Sequence, residues 1–239
     1  MRKIFAALLA LFVLTVGAPV ASAELLKFSG SPHFLPAPVM VVGAYTPGGQ
    51  ANFAVFHRGG VLTSGKDGGS MRVSFGVKGD AEKSLTYQSV KASGACTINL
   101  PSLKYLSETD LLGSFSGRAP CGCFQDKLKA AGLTAVKGAE VNAPMVEEFP
   151  ISLECELEDD IAIAPGSKSR LMILKVRKVW ADEAYIDAKG KINPMSVSGD
   201  PDSSLIFFSH SHAENGGYYG YGSFLGKSGE ISKRYREGR

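Results

Sequence analysis

Apolar and polar positions alternate with a short period along most of this chain, and few stretches keep helical spacing. Val39–Tyr45 is a β-branched apolar run, Thr46-Pro47-Gly48-Gly49 supplies a turn, and Asn52–Phe56 returns, so a hairpin is predicted. Met71–Val77 alternates as a half-buried strand does. Ser84–Ser93 spaces Leu85, Val90 and Ala92 among polar residues ahead of Gly94, which predicts a short helix with a glycine stop. A strand follows over Ala95–Leu100 and ends at Pro101. From Ser102 to Gly132 the pattern is loop-rich. Ser107-Glu108-Thr109-Asp110 is expected to cap one short helix, and Phe124–Ala131 reads as another, closed by Gly132. Strands are predicted again at Ile151–Glu156, Arg170–Trp180 and Ala184–Asp187, with Leu205–Ser209 as the final one. Many strands and few helices predict a mainly β fold, a closed or partly open barrel without internal repeats or a domain linker.

The N-terminus follows a different grammar. Arg2 and Lys3 precede an apolar run over Ile4–Val16 interrupted only by Thr15, then Gly17 and Pro19, then the small residues Ala21-Ser22-Ala23. That order predicts a cleaved export signal over residues 1–23. The run is shorter than the roughly 20 apolar residues of a membrane-spanning helix, so no anchor is expected after cleavage. The mature domain is then 24–232, followed by a charged tail at 233–239 expected to fray. The expected location is exported, periplasmic or secreted.

Charge narrows the function classes. The chain has 26 basic and 23 acidic residues; losing Arg2 and Lys3 lowers the net charge from +3 to +1. A nearly neutral mature protein lacks the basic field that nucleic-acid binding requires. A hydrophobic content of 44% is ample for a packed core. The sequence contains no GxSxG, HExxH or P-loop, and no GxGxxG following a strand, which removes the common hydrolase, zinc-protease and Rossmann readings.

Four cysteines remain to be placed: Cys96, Cys121, Cys123 and Cys155. Cys96 and Cys155 fall in apolar strands and read as buried packing residues. Cys121 and Cys123, separated by one glycine, read as a small reducible redox pair, as a loop disulfide without redox function, or as cysteines that pair elsewhere. His210 and His212 form an HxH without an obvious third ligand, so no metal is assigned.

Several short segments, taken in order, resemble one family. They are Pro38–Tyr45 with Gly48-Gly49-Gln50-Ala51-Asn52, Ser84–Tyr87, and Cys96–Pro101. Gly113, Ser116-Gly117, Asp126-Lys127-Leu128 and Ala131-Gly132-Leu133-Thr134 follow. Ala143-Pro144, Glu147-Glu148, Leu153-Glu154-Cys155, Tyr218-Tyr219-Gly220 and Leu225-Gly226-Lys227 complete the series. In this order they are similar to flavin reductase-like and flavoredoxin proteins, from about Phe34 to Lys227. The resemblance implies a six-stranded Greek-key split β-barrel that dimerises and holds FMN.

It also implies site residues. Asn52, Phe53, Ala54, Val55, Phe56 and His57 would lie along the flavin ring, where relatives commonly carry Thr and Trp in place of Val55 and Arg58. Lys83, Ser84 and Thr86 would hold the phosphate, with Lys127 nearby. Physics supports the phosphate position, because a helix start offers free amides and a favourable dipole to an anion. The implied activity is that of an FMN-dependent oxidoreductase or a flavoredoxin-like electron carrier, served by a redox partner protein or a small-molecule donor. A split barrel that has lost its flavin and a thiol-redox protein using Cys121 and Cys123 remain as alternatives.

Overall fold

The computed structural model describes residues 35–65, 69–116, 126–195, 199–209 and 216–222. The chain divides into two units, residues 1–32 and 33–239, and every described residue belongs to the second. The signal segment, Cys121 and Cys123, His210 and His212, and the 233–239 tail lie outside the described residues.

In chain order the strands are β1 (Ala37–Pro38), β2 (Met40–Tyr45), β3 (Ala51–Phe56), β4 (Gly59–Thr63), β5 (Arg72–Val77) and β6 (Ala95–Leu100). They continue with β7 (Ala135–Lys137), β8 (Pro144–Val146), β9 (Ile151–Ala162), β10 (Arg170–Ala181), β11 (Ile206–Ser209) and β12 (Gly217–Gly220). The helices are α1 (Leu85–Ser93), α2 (Leu106–Ser114) and α3 (Lys127–Ala130). Seven strands make one antiparallel sheet in the order β3-β2-β6-β9-β10-β5-β4. Its two ends are hairpins, yet β3 runs into β4 through His57 and Arg58 alone, so the sheet must curl to bring them together. Phe56 of β3 accordingly packs on Phe75 of β5 with ring centroids 4.7 Å apart. The result is a mainly β split barrel with a few short helices, as expected, with seven strands in its large sheet instead of six. Smaller sheets, β1-β11-β12 and β7-β8, complete the described strands.

Two apolar cores explain the sequence pattern of β2. Met40, Val42 and Ala44 point into the barrel with Phe75, Ile98, Met172 and Leu174. Val41 points the other way, into a second core with Phe53, Leu112, Leu128 and Phe149. A strand buried on both faces needs no polar alternation, and its continuous apolar run is the consequence. Helix α1 lays Tyr87 and Val90 on the first core. Gly94 ends it at φ 68°, a left-handed turn that favours glycine, with its N–H on the Val90 carbonyl at 2.9 Å.

The departures from the sequence reading have local causes. Ala184–Asp187 is not a strand; Glu183–Tyr185 is a 3-10 turn whose Ala184 N–H is capped by Asp182. Strand β9 continues to Ala162, beyond the Ile151–Glu156 stretch that marks it in the sequence, because its polar second half pairs with the start of β10 while most of its side chains stay exposed; β10 itself matches the expected strand to one residue. Strand β4 hides behind two glycines: a Cβ at Gly59 would sit 2.1 Å from the Ser74 carbonyl oxygen. Helix α2 starts at Leu106, so Ser107–Asp110 lie inside it, and Thr109 donates back to the Tyr105 carbonyl at 2.7 Å. Strand β12 follows β11, which is therefore not the last strand.

Candidate functional site

The start of α1 gathers more of the expected site residues than any other described place. Ser84 adopts an extended conformation and its Oγ accepts the Tyr87 N–H at 3.3 Å, as an N-cap does. The amides of Leu85 and Thr86, in the first helical turn, have no intrahelical acceptor. Lys83 is exposed at the end of the preceding 3-10 turn. Thr86 is buried, and its Oγ1 accepts from Asn52 Nδ2 at 2.9 Å. That bond joins the helix start to β3, so Asn52 and the Lys83–Thr86 segment meet.

The helix is fixed from its other side by Asp160 of β9. Its carboxylate accepts from Tyr87 Oη at 2.8 Å, Arg170 Nε at 2.7 Å and Lys91 Nζ at 2.9 Å. Burial alone would raise the Asp160 pKa, but hydrogen bonds from Arg170, Lys91 and Tyr87 outweigh it and hold the group at about 2. The same burial and carboxylate push the Tyr87 phenol up to about 12. An open helix end on a firmly tethered helix is a candidate anion site.

The rest of the expected ring-side segment does not present a single face. Phe53 is buried in the second core and Phe56 packs against the first. Val55 leans on α2, where a Cβ added to Gly113 would stand 3.2 Å from the Val55 Cβ. A hydroxyl at position 55 would therefore face the α2 backbone. His57 stacks on Phe208 of β11, with centroids 4.4 Å apart and planes at 29°. Ala54 is half-buried.

Lys127 lies below the helix start. Its Nζ donates to the carbonyls of Leu112 and Phe115, each at 2.8 Å, so it caps the C-terminal end of α2, and burial lowers its pKa to about 8. Asn52, Lys127, Gln50 and Leu85 line a small, partly open space of about 40 Å³. A roomier cleft of about 590 Å³ lies by Ala92 and Ser93, at the opposite end of α1. A helix C-terminus favours cations, so of the two ends of α1 its start is the one whose dipole suits an anion.

Sequence reasoning did not find Asp160, Arg170 or Tyr87, because their meeting depends on the β9–β10 register and on how α1 packs. Nor did it find that Tyr218 Oη donates to Asp110 at 3.0 Å, tying β12 to α2. Among the described residues, no group of three or more His, Cys, Asp or Glu side chains is placed to hold a metal ion. Among them too, no helix is long and apolar enough to cross a membrane.

Comparison with known proteins places this geometry. The sequence model of the flavin reductase like domain matches residues 32–196. The flavoredoxin of Desulfovibrio vulgaris (Miyazaki F) is 25% identical and superposes at a TM-score of 0.70, covering 87% of this chain and 100% of that one. Flavoredoxin from Methanosarcina acetivorans is 18% identical at a TM-score of 0.70, over 89% of this chain and 100% of its own. Nitrilotriacetate monooxygenase component B from Bacillus cereus is similar in fold, at 18% identity and a TM-score of 0.69, over 86% of this chain and 100% of its own. A curated Aeropyrum pernix protein, described as uncharacterized, is 34% identical over 79 residues, which are 33% of this chain. The match spans 28% of that relative's length.

Proposed function

The chain belongs to the flavin reductase-like family, and from that premise we propose that it is an exported FMN-binding oxidoreductase that works as a flavoredoxin-like electron carrier. The observation that carries this reading is the junction of Lys83, Ser84 and Thr86 with Asn52 at the start of α1. A flavin phosphate bears about two negative charges and needs donors and a cation. Here the Leu85 and Thr86 amides, the Ser84 hydroxyl and Lys83 supply them.

Sites that enclose small molecules usually exceed 300 Å³, whereas the space between Asn52 and Lys127 is about 40 Å³. A flavin ring therefore lies across the surface of this chain, and a second protomer would cover its exposed face. We propose a homodimer on that ground. When bound, FMN supplies the hydride and electron chemistry, and the protein binds and tunes it. This chain's own residues hold the phosphate at α1 and fix that helix through Asp160. The Asn52–Thr86 hydrogen bond keeps β3 in register with the helix start.

Export bears on the donor. Nicotinamide nucleotides are cytoplasmic reductants, so an exported member would draw electrons from a redox partner protein or another small molecule.

Titrating the purified mature protein with FMN and recording its visible spectrum and flavin fluorescence tests the reading. Binding tighter than about 1 mM, weakened at least tenfold in Lys83→Ala/Ser84→Ala, is the expected result. A folded protein that stays colourless would show instead a split barrel without flavin. Stopped-flow reduction by NADH against reduction by a low-potential protein donor then separates a reductase from a carrier.

A further inference from the structure

Strands β6 and β9 pair in a register that sets Cys96 directly opposite Cys155. Both residues belong to the barrel core, beside Ile98, Leu153 and Met172, and both are 0% exposed. Opposed residues in an antiparallel pair have Cα atoms about 4.5 or about 5.5 Å apart, and both spacings lie within the roughly 4.4–6.8 Å of disulfide-bonded cysteines. Leu157 N–H donates to the Gly94 carbonyl at 2.8 Å, which makes Gly94 and Leu157 a hydrogen-bonded pair. Alternation along the ladder makes Cys96 and Cys155 one as well, at the wider spacing. In the structure both are free thiols.

We propose that Cys96 and Cys155 are a redox modification site, closing to a cross-strand disulfide while the sheet assembles. The bond forms by thiol–disulfide exchange with a small-molecule disulfide such as oxidised glutathione. One thiolate attacks a sulfur of the oxidant and expels the first thiolate; the second cysteine then attacks the mixed disulfide and expels the other. The two cysteines lose two electrons and two protons, and the oxidant becomes two thiols. Once the barrel is closed, neither sulfur is reachable. Burial also pushes both thiols up, Cys155 to about 12, so little thiolate forms in the folded protein. The pair thus keeps the oxidation state it had when the chain folded. This inference rests on the register and on burial, and is independent of flavin binding and of export.

The experiment removes the other two cysteines. A Cys121→Ser/Cys123→Ser variant is unfolded, refolded with oxidised and reduced glutathione or with dithiothreitol alone, and tagged with a maleimide in denaturant. The expected result is no tag and a 96–155 linked peptide pair after oxidative refolding, and two tags after reducing refolding. Protein folded reduced and then exposed to oxidised glutathione should keep both thiols for hours. Two tags after oxidative refolding, glutathione adducts in place of the internal bond, or an oxidised form without native near-ultraviolet circular dichroism would overturn the proposal. If the double variant does not fold, unreduced digests of the full chain decide: a 96–155 link supports it, and linkage of either residue to 121 or 123 defeats it.

Discussion

Glu154 and Asp160 stand on the same strand, β9, and the two ends of that strand keep their carboxylates ionised by different means. Glu154 is fully buried; its Oε2 accepts the amides of Glu140 and Val141 at 2.8 and 2.9 Å, and its Oε1 accepts the Trp180 indole at 2.6 Å. Burial alone would raise its pKa, but the indole and the backbone amides outweigh that and lower it. Among the described residues no cation takes part. Asp160 instead draws on Arg170, Lys91 and Tyr87. Backbone amides are fixed by the chain and lose little entropy when they bond, so the Glu154 end locks the loop before β8 to the sheet. Side-chain cations reach across elements, so the Asp160 end ties α1, with its candidate anion site, to the β9–β10 hairpin. One end serves the fold; the other also sets the position of the site.

This contrast can be broken from either side. Glu154→Ala takes the acceptor from three donors, the buried Val141 amide and the part-buried Glu140 amide and Trp180 indole, and urea unfolding should register a loss of roughly 2–4 kcal/mol. A change below about 1 kcal/mol would show that water replaces the carboxylate. The Asp160 end should answer to acid. Its folded pKa, about 2, lies below the ordinary 3.8, so its stabilisation is complete above about pH 4 and disappears as pH falls toward 2. Over that window the wild type should lose about 2 kcal/mol more than Asp160→Asn, measured by urea midpoints at each pH.

Milder changes sharpen the comparison. Trp180→Phe leaves the Glu154 amide bonds in place and should cost about 1–2 kcal/mol in the same unfolding assay. Tyr87→Phe removes a single bond to Asp160, at about 1 kcal/mol, and should weaken FMN binding a few-fold through the helix start. A stability loss with unchanged FMN affinity would separate tethering from ligand binding. Lys168→Ala should be nearly silent, within about 0.5 kcal/mol in thermal unfolding, because its ion pair with Asp80 at 3.4 Å is solvent-exposed.

Much of the barrel was legible in the sequence for identifiable reasons. The β2–β3 hairpin announces itself through a turn between two apolar runs, and α1 through Ser84 and Gly94 at its ends. Strands β4, β7, β8 and β12 carried no such mark, since each is short, rich in glycine or proline, or paired to a distant segment. The candidate site was legible at Lys83, Ser84 and Thr86 for the same reason as the helix: caps are local chemistry. The role of Lys127 was not. The resemblance sets it near the phosphate, whereas the fold buries it and turns its ammonium onto the carbonyls of Leu112 and Phe115.

The sequence by itself determined the β class, the helix whose start offers donors to an anion, and the ordered segments that mark the family. Each depends on neighbours along the chain, where turn chemistry, capping and period act within a few residues. Tertiary structure alone decided that Asn52 meets Thr86, that Asp160 gathers Tyr87, Lys91 and Arg170, and that Cys96 faces Cys155. Those contacts depend on strand register and on the curl of the sheet, which are set by how the two cores pack and leave no trace in local spacing.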